Sequence, residues 1–167
     1  MKHNYNTFND AAEGALKKII RLSETSLSDK EKFKPIERYL SNWITTLHKG
    51  IDDITSDTAL AASVLSRAGV EALNWFKDTG TPFDAKEMVT LLCMKQHDYG
   101  HNNITNFGII GVAVRICDKI ARIANLEKVG IAKNESMLDS YLDIIGYSMI
   151  AIMLDEDSFK LNLRKNS

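Results

Sequence analysis

A row of charged side chains in the second half of the chain has the spacing of a phosphate-binding face. Arg115, Asp118, Lys119 and Arg122 follow one another at i, i+3, i+4 and i+7. Residues at these spacings lie on one face of a helix. Arginine and lysine bind phosphate oxygens through charge-assisted hydrogen bonds. The pattern therefore predicts either an anion-binding face or a solvated face with internal ion pairs.

The next charged segment carries carboxylates, which could hold a metal ion. Glu135, Asp139 and Asp143 recur every four residues, and each step turns a helix by only about 40° beyond a full turn. Mg²⁺ binds carboxylate oxygens and phosphates. With Asp118 and Asp98 from neighbouring helices, these acids form a candidate magnesium site. Asp118, Asp139 and Asp143 are its candidate catalytic residues, because a metal-activated water would attack a phosphoryl group.

The same carboxylates have an alternative role as structural ion pairs. A carboxylate at the mouth of a buried helix is costly unless a cation pairs with it. Asp139 and Asp143 would then form salt bridges with Lys95, Arg115 or Arg122.

A polar segment before the basic helix could contact a base or a sugar. Its sequence, HDYGHNN, contains Gly100, which is expected to end a helix, and two asparagines that can donate and accept hydrogen bonds. The candidate nucleotide-binding residues are Lys95, Tyr99, Asn102, Asn103, Arg115, Lys119 and Arg122.

The elements that position these residues are all expected to be helices. Apolar residues recur with a helical period along most of the chain, which has two prolines and no alternating strand pattern. The fold class is therefore all-α, a single bundle of about six helices. The expected helices cover about residues 8–23, 36–47, 57–79, 84–98, 109–126 and 135–154. The last is apolar nearly all round after Asp143, which is typical of a central helix.

Length and composition indicate one globular domain of 167 residues. We expect N-terminal helices over 1–80, a helical core over 84–154 and a solvated tail over 159–167. The net charge of −1 gives no sign of general nucleic-acid binding. Two separated cysteines read as free thiols in a reducing cytoplasm. The N-terminus is not of signal-peptide type, and the longest apolar run is too short for a membrane span.

Three motifs in this order resemble the nucleotide modification associated domain, an all-helical family found in many phage proteins. The motifs are Lys95-x-x-Asp98-Tyr99-Gly100, Arg115-x-x-Asp118-Lys119-x-x-Arg122 and Glu135-x-x-x-Asp139-x-x-x-Asp143-x-x-x-Tyr147. The resemblance spans about Met88 to Met153. It implies a helical fold, a phage or prophage origin, a role in nucleotide metabolism or modified bases, and a place in the cytoplasm of an infected or lysogenic bacterial host.

A more distant likeness is to the MazG-like nucleoside triphosphate pyrophosphohydrolases, which hold magnesium with an E-x-x-E pair and an E-x-x-D pair. Here the later acids are spaced by four, and the first pair is absent. The function expected first is Mg-dependent hydrolysis of a (deoxy)nucleoside triphosphate. The alternatives are a non-catalytic protein that binds a nucleotide or nucleotide-derived signal as an anti-defence sponge, and a protein–protein interaction module. Helical nucleotide-handling proteins of this size often pair, so a homo-oligomer, dimer or higher, is expected.

Overall fold

The computed structural model describes residues 5–25, 33–48, 58–132 and 136–165, and all of its regular elements are helices. Their bounds are α1 Phe8–Thr25, α2 Lys34–His48, α3 Thr58–Thr79, α4 Ala85–Tyr99, α5 Asn102–Thr105, α6 Gly108–Val129 and α7 Met137–Asp155. No strand occurs in the described ranges. The expected all-α bundle is confirmed, and the single-turn helix α5 lies in a segment expected to be a loop.

The last helix, α7, is the central element of the bundle. It packs against α3 on one side and α6 on another, and α1 also contacts it. Tyr141, Ile144, Ile145 and Met149 are completely buried. By length and composition α7 is apolar enough to cross a membrane, but 61% of its apolar window is buried inside the protein. This burial identifies α7 as a core helix, as its sequence predicts.

The packing of α3 on α7 joins the N-terminal helices to the rest of the core. The Ser148 hydroxyl donates a hydrogen bond of 2.7 Å to the Leu65 carbonyl. Near the other end of the contact, the rings of Trp75 and Tyr141 stack with centroids 4.2 Å apart. These two contacts show that α3 and α7 run antiparallel.

The two cysteines are free thiols, as expected. Cys93 and Cys117 are both half-buried. Burial raises the pKa of each thiol, which lowers the fraction of reactive thiolate at neutral pH. Neither cysteine is therefore a strong nucleophile.

The C-terminal segment, expected as a solvated tail over 159–167, packs on the bundle through some of its described residues: Phe159 is buried and Leu161 and Leu163 are half-buried, whereas the other residues of 160–165 are exposed. Phe159 is only 2% exposed, and its ring meets that of Phe8 edge-on at 5.7 Å. The Phe8 amide donates to the Asn162 carbonyl at 2.8 Å, and Arg164 forms an ion pair with Asp10 at 2.6 Å. The physical reason is that apolar residues recur at every second position, and the side chains of Phe159, Leu161 and Leu163 all pack against the core.

Candidate functional site

A cavity of about 310 Å³ lies between α4, α5, α6 and α7 and contains several of the expected site residues. We call it the α4–α7 crevice. Its polar lining residues are Lys95, Gln96, Tyr99, Asn103, Arg115, Asp143 and Tyr147. Its apolar lining residues include Met88, Leu92, Leu142, Ile150 and Phe159. A larger cavity of about 870 Å³ lies between α1 and α4, but of the expected site residues only Asp98 lines it.

Asp143 joins the three long helices around the crevice. Its Oδ1 accepts a hydrogen bond from Lys95 Nζ at 2.7 Å, and its Oδ2 lies 2.9 Å from Lys119 Nζ. Burial alone raises the pKa of this carboxyl, but the hydrogen bonds and charges of the two lysines outweigh it, so the net pKa is lowered. Asp143 is therefore an ionised carboxylate held between two ammonium groups. Lys95 is one of the partners expected for Asp143. Its second partner is Lys119, whereas Arg115 or Arg122 was expected.

The basic face of α6 meets α7 turn by turn. The guanidinium of Arg115 lies over the ring of Tyr147, 5.8 Å from its centroid. Lys119 meets Asp143 one turn further on. Arg122 then donates hydrogen bonds to the Ser140 hydroxyl and, at 3.2 Å, to the Ser136 carbonyl. Residues spaced at i, i+4 and i+7 on α6 therefore contact residues that follow one another in the reverse direction along α7, as in an antiparallel helix pair.

Arg115 differs from the other two cations of this face. It forms no ion pair with any described carboxylate, and its side chain is exposed. Its guanidinium carbon lies over the Tyr147 ring, a contact with the ring face that leaves its N–H donors available to other acceptors. Arg115 is thus the cation at the crevice best placed to bind an anion.

The remaining wall of the crevice comes from the turn between α4 and α6. Gly100 follows the end of α4 with φ of 65°, a conformation that favours glycine, and its amide donates to the Gln96 carbonyl at 2.9 Å. This turn leaves the Tyr99 ring 68% exposed and leads into α5. Asn103 on α5 lines the crevice, whereas Asn102 is exposed and does not.

Sequence reasoning did not assign Gln96 and Tyr147 to the site. The buried Gln96 amide donates to Nδ1 of His101 at 2.6 Å, which braces the wall beside the cavity. Tyr147 follows Asp143 by four residues, so the period of the acidic row would have placed it on the same face. Gln96 precedes Tyr99, an expected site residue, by three residues, so the same spacing would have placed it on that face as well.

The described residues do not provide a magnesium site of the expected kind. Asp139 closes the capping box of α7, its Oδ2 accepting from the Ser136 amide at 2.8 Å. Asp118 is exposed and forms no ion pair with the described part of the chain, and Asp98 contacts His97 at 3.1 Å. Glu135 lies outside the described residues. Within the described ranges, no three His, Cys, Asp or Glu side chains lie together as metal ligands.

Comparison with known proteins matches part of the chain to a family. No curated protein and no solved structure matches the chain significantly. Residues 95–154 match the family model described as nucleotide modification associated domain 1. This segment supplies α5, α6, most of α7 and all the polar lining residues of the crevice. The match confirms the family resemblance of that part of the chain.

Proposed function

We propose that the α4–α7 crevice binds a nucleotide. The observation that carries the proposal is the convergence of two cations, two tyrosine rings and the side-chain amide of Asn103 on one cavity. This cavity is lined chiefly by the segment that matches a nucleotide-associated family. Its volume of about 310 Å³ is within the usual range for small-molecule sites.

The phosphate is expected at Lys95 and Arg115. Arg115 offers several N–H donors in one plane and has no described carboxylate to neutralise it. Lys95 spends one of its three donors on Asp143 and keeps the others for a ligand. The ion pair with Asp143 also holds the lysine at the crevice. Both cations are therefore positioned before a ligand arrives, which lowers the ordering cost of binding.

The base is expected against the tyrosine rings and the amide. Tyr99 and Tyr147 both line the crevice, and stacking of one base on an aromatic ring contributes about 1–3 kcal/mol. The side-chain amide of Asn103 can donate to and accept from the polar edge of a base or sugar. The apolar floor, which includes Leu92 and Ile150, would exclude water from the buried face of the ligand.

Binding, rather than turnover, is the function that the geometry favours. Hydrolysis of a phosphoanhydride by the expected route needs a metal that activates water. The candidate ligands Asp98, Asp118 and Asp139 lie apart from the crevice or serve other contacts. The remaining carboxylate, Asp143, is already bound to two lysines.

Isothermal titration calorimetry with a panel of deoxynucleotides tests the proposal. Arg115→Ala is expected to weaken binding by at least about tenfold, because a hydrogen bond to a charged group contributes about 1.5–3 kcal/mol. Arg67→Ala is the matched control, since Arg67 is an exposed arginine on α3 outside the crevice. Failure of the wild-type protein to bind any nucleotide, or equal affinity in Arg115→Ala, would contradict the proposal.

A further inference from the structure

We infer that the ligand of the α4–α7 crevice is a nucleoside monophosphate, bound without a metal ion. The inference rests on the proposed nucleotide binding and narrows the class of nucleotide. It uses the net charge of the crevice, the ion pairs of Asp143 and the positions of the cations along α6.

The charge of the crevice is closest to that of one phosphate. Lys95 and Arg115 line the crevice with two positive charges and Asp143 adds one negative charge, which leaves an excess of one among the described lining residues. A phosphate monoester carries about −1.5 to −2 at neutral pH. One terminal phosphate therefore already exceeds the positive charge of the crevice slightly, and the additional charges of a triphosphate would have no counterpart there.

Asp143 is also unsuited to recruit a metal for a triphosphate. Triphosphates are commonly bound together with Mg²⁺, which is shared between the phosphates and one or two carboxylates. Both oxygens of Asp143 accept from lysines, at 2.7 Å and 2.9 Å. No other carboxylate lines the crevice in the described part of the chain. A metal at this position would have to displace the ammonium groups that hold the helices together.

The cations along α6 do not extend far enough from Arg115 to pair with three successive phosphates. Arg115 and Lys95 both lie at the α7 turn between Asp143 and Tyr147. The next arginine along α6, Arg122, is engaged by the Ser136 carbonyl and the Ser140 hydroxyl. The β- and γ-phosphates of a triphosphate extending along α6 would reach a cation that is already hydrogen-bonded. The cavity volume of about 310 Å³, at the small end for ligand sites, agrees with a ligand of one phosphate.

The experiment compares the affinities of ligands that differ in their number of phosphates, with and without Mg²⁺. The full-length protein is titrated with dAMP, dGMP, dCMP and dTMP, with their triphosphates and with the free deoxynucleosides, each in EDTA and in Mg²⁺. We expect one monophosphate to bind tightest, with affinity unchanged by EDTA, and its free nucleoside to bind at least about tenfold more weakly. Its triphosphate should bind more weakly than the monophosphate in EDTA.

A charge variant adds a second measurement. Asp143→Asn raises the positive excess by one, so the ratio of triphosphate to monophosphate affinity should rise, whereas Asp118→Asn makes the same change outside the crevice and should leave the ratio unaltered. Tighter binding of triphosphates by the wild-type protein, or binding that needs Mg²⁺, would overturn the inference while leaving nucleotide binding intact. Absence of binding by every nucleotide would overturn both.

Discussion

At the scale of single residues, Asp143 is the group on which most of the site depends. It receives Lys95 from α4 and Lys119 from α6 while itself belonging to α7. Its side chain is 19% exposed, so these ion pairs are partly shielded from water and count for more than surface pairs. The same contacts orient Lys95 toward the crevice. The stability of the protein and the proposed ligand binding therefore both depend on this residue.

Replacement of Asp143 should lower stability in a pH-dependent way. The folded-state pKa lies below that of an ordinary aspartate, so its stabilising effect is present above the unfolded pKa of about 3.9 and is lost as the pH falls through the folded pKa. In urea denaturation, Asp143→Asn should reduce the free energy of unfolding by about 1–3 kcal/mol near neutral pH. The difference from wild type should shrink toward about pH 2. Asp118→Asn is the control, and an equal loss at both pH values would contradict the assignment.

At the scale of helices, the close approach of α3 and α7 sets the position of the acidic residues. A Cβ atom on Gly69 would lie 2.8 Å from Ser148 Cβ and 3.1 Å from Ile19 Cδ1. The start of α7 is defined separately by its capping box, in which the Ser136 hydroxyl accepts from the Asp139 amide at 3.2 Å. Together these two features determine which turn of α7 faces α4 and α6, and hence where Asp143 and Tyr147 lie.

Gly69→Ala should destabilise the protein although alanine favours a helix. The propensity gain is at most about 1 kcal/mol, whereas forcing a methyl group into a close-packed contact costs about 1–3 kcal/mol. We expect a net loss in the free energy of unfolding, measured by urea denaturation followed by circular dichroism. Ser63→Ala, at an exposed site of α3, should change stability by less than about 0.5 kcal/mol. A stabilised Gly69→Ala would show that α3 and α7 are further apart than described.

At the scale of the whole molecule, one core joins the N-terminal helices, the family-like helices and the C-terminal segment. Phe159 contacts Phe8 at the start of α1 and meets the His101 ring edge-on at 5.9 Å, and it also lines the crevice. The C-terminal segment thus links α1 to the wall that carries Asn103. The nucleotide-binding proposal consequently involves the folded protein as a whole, although most polar site residues come from 95–154.

Phe159→Ala should therefore reduce both stability and binding. Truncation of a buried phenylalanine costs about 3–5 kcal/mol, so a clear fall in the midpoint of urea denaturation is expected. Nucleotide affinity should fall as well, because the apolar floor of the crevice is lost. The neighbouring Lys160→Ala, at an exposed position, should leave both unchanged. A Phe159→Ala protein as stable as wild type would mean that the C-terminal segment does not pack as described.

The amino-acid sequence alone determined the helices and named several of the polar residues that line the crevice. Each long helix begins and ends within a few residues of its expected position, because apolar periodicity and turn glycines such as Gly100 and Gly130 act locally. Lys95, Tyr99, Asn103, Arg115 and Asp143 were all expected at a site, and all line one crevice.

Only the tertiary structure decided which residue each charged side chain contacts. Spacing along a helix places residues on a common face, but the register between α6 and α7 selects Lys119 for Asp143 and Tyr147 for Arg115. It also leaves Asp139 to its own capping box and Asp118 outside the crevice. That register comes from contacts between side chains of separate helices, including Arg122 of α6 against Ser140 of α7. Such contacts leave no local periodic signal, which is why the spacing of the acids did not reveal that Asp143 lies between two lysines.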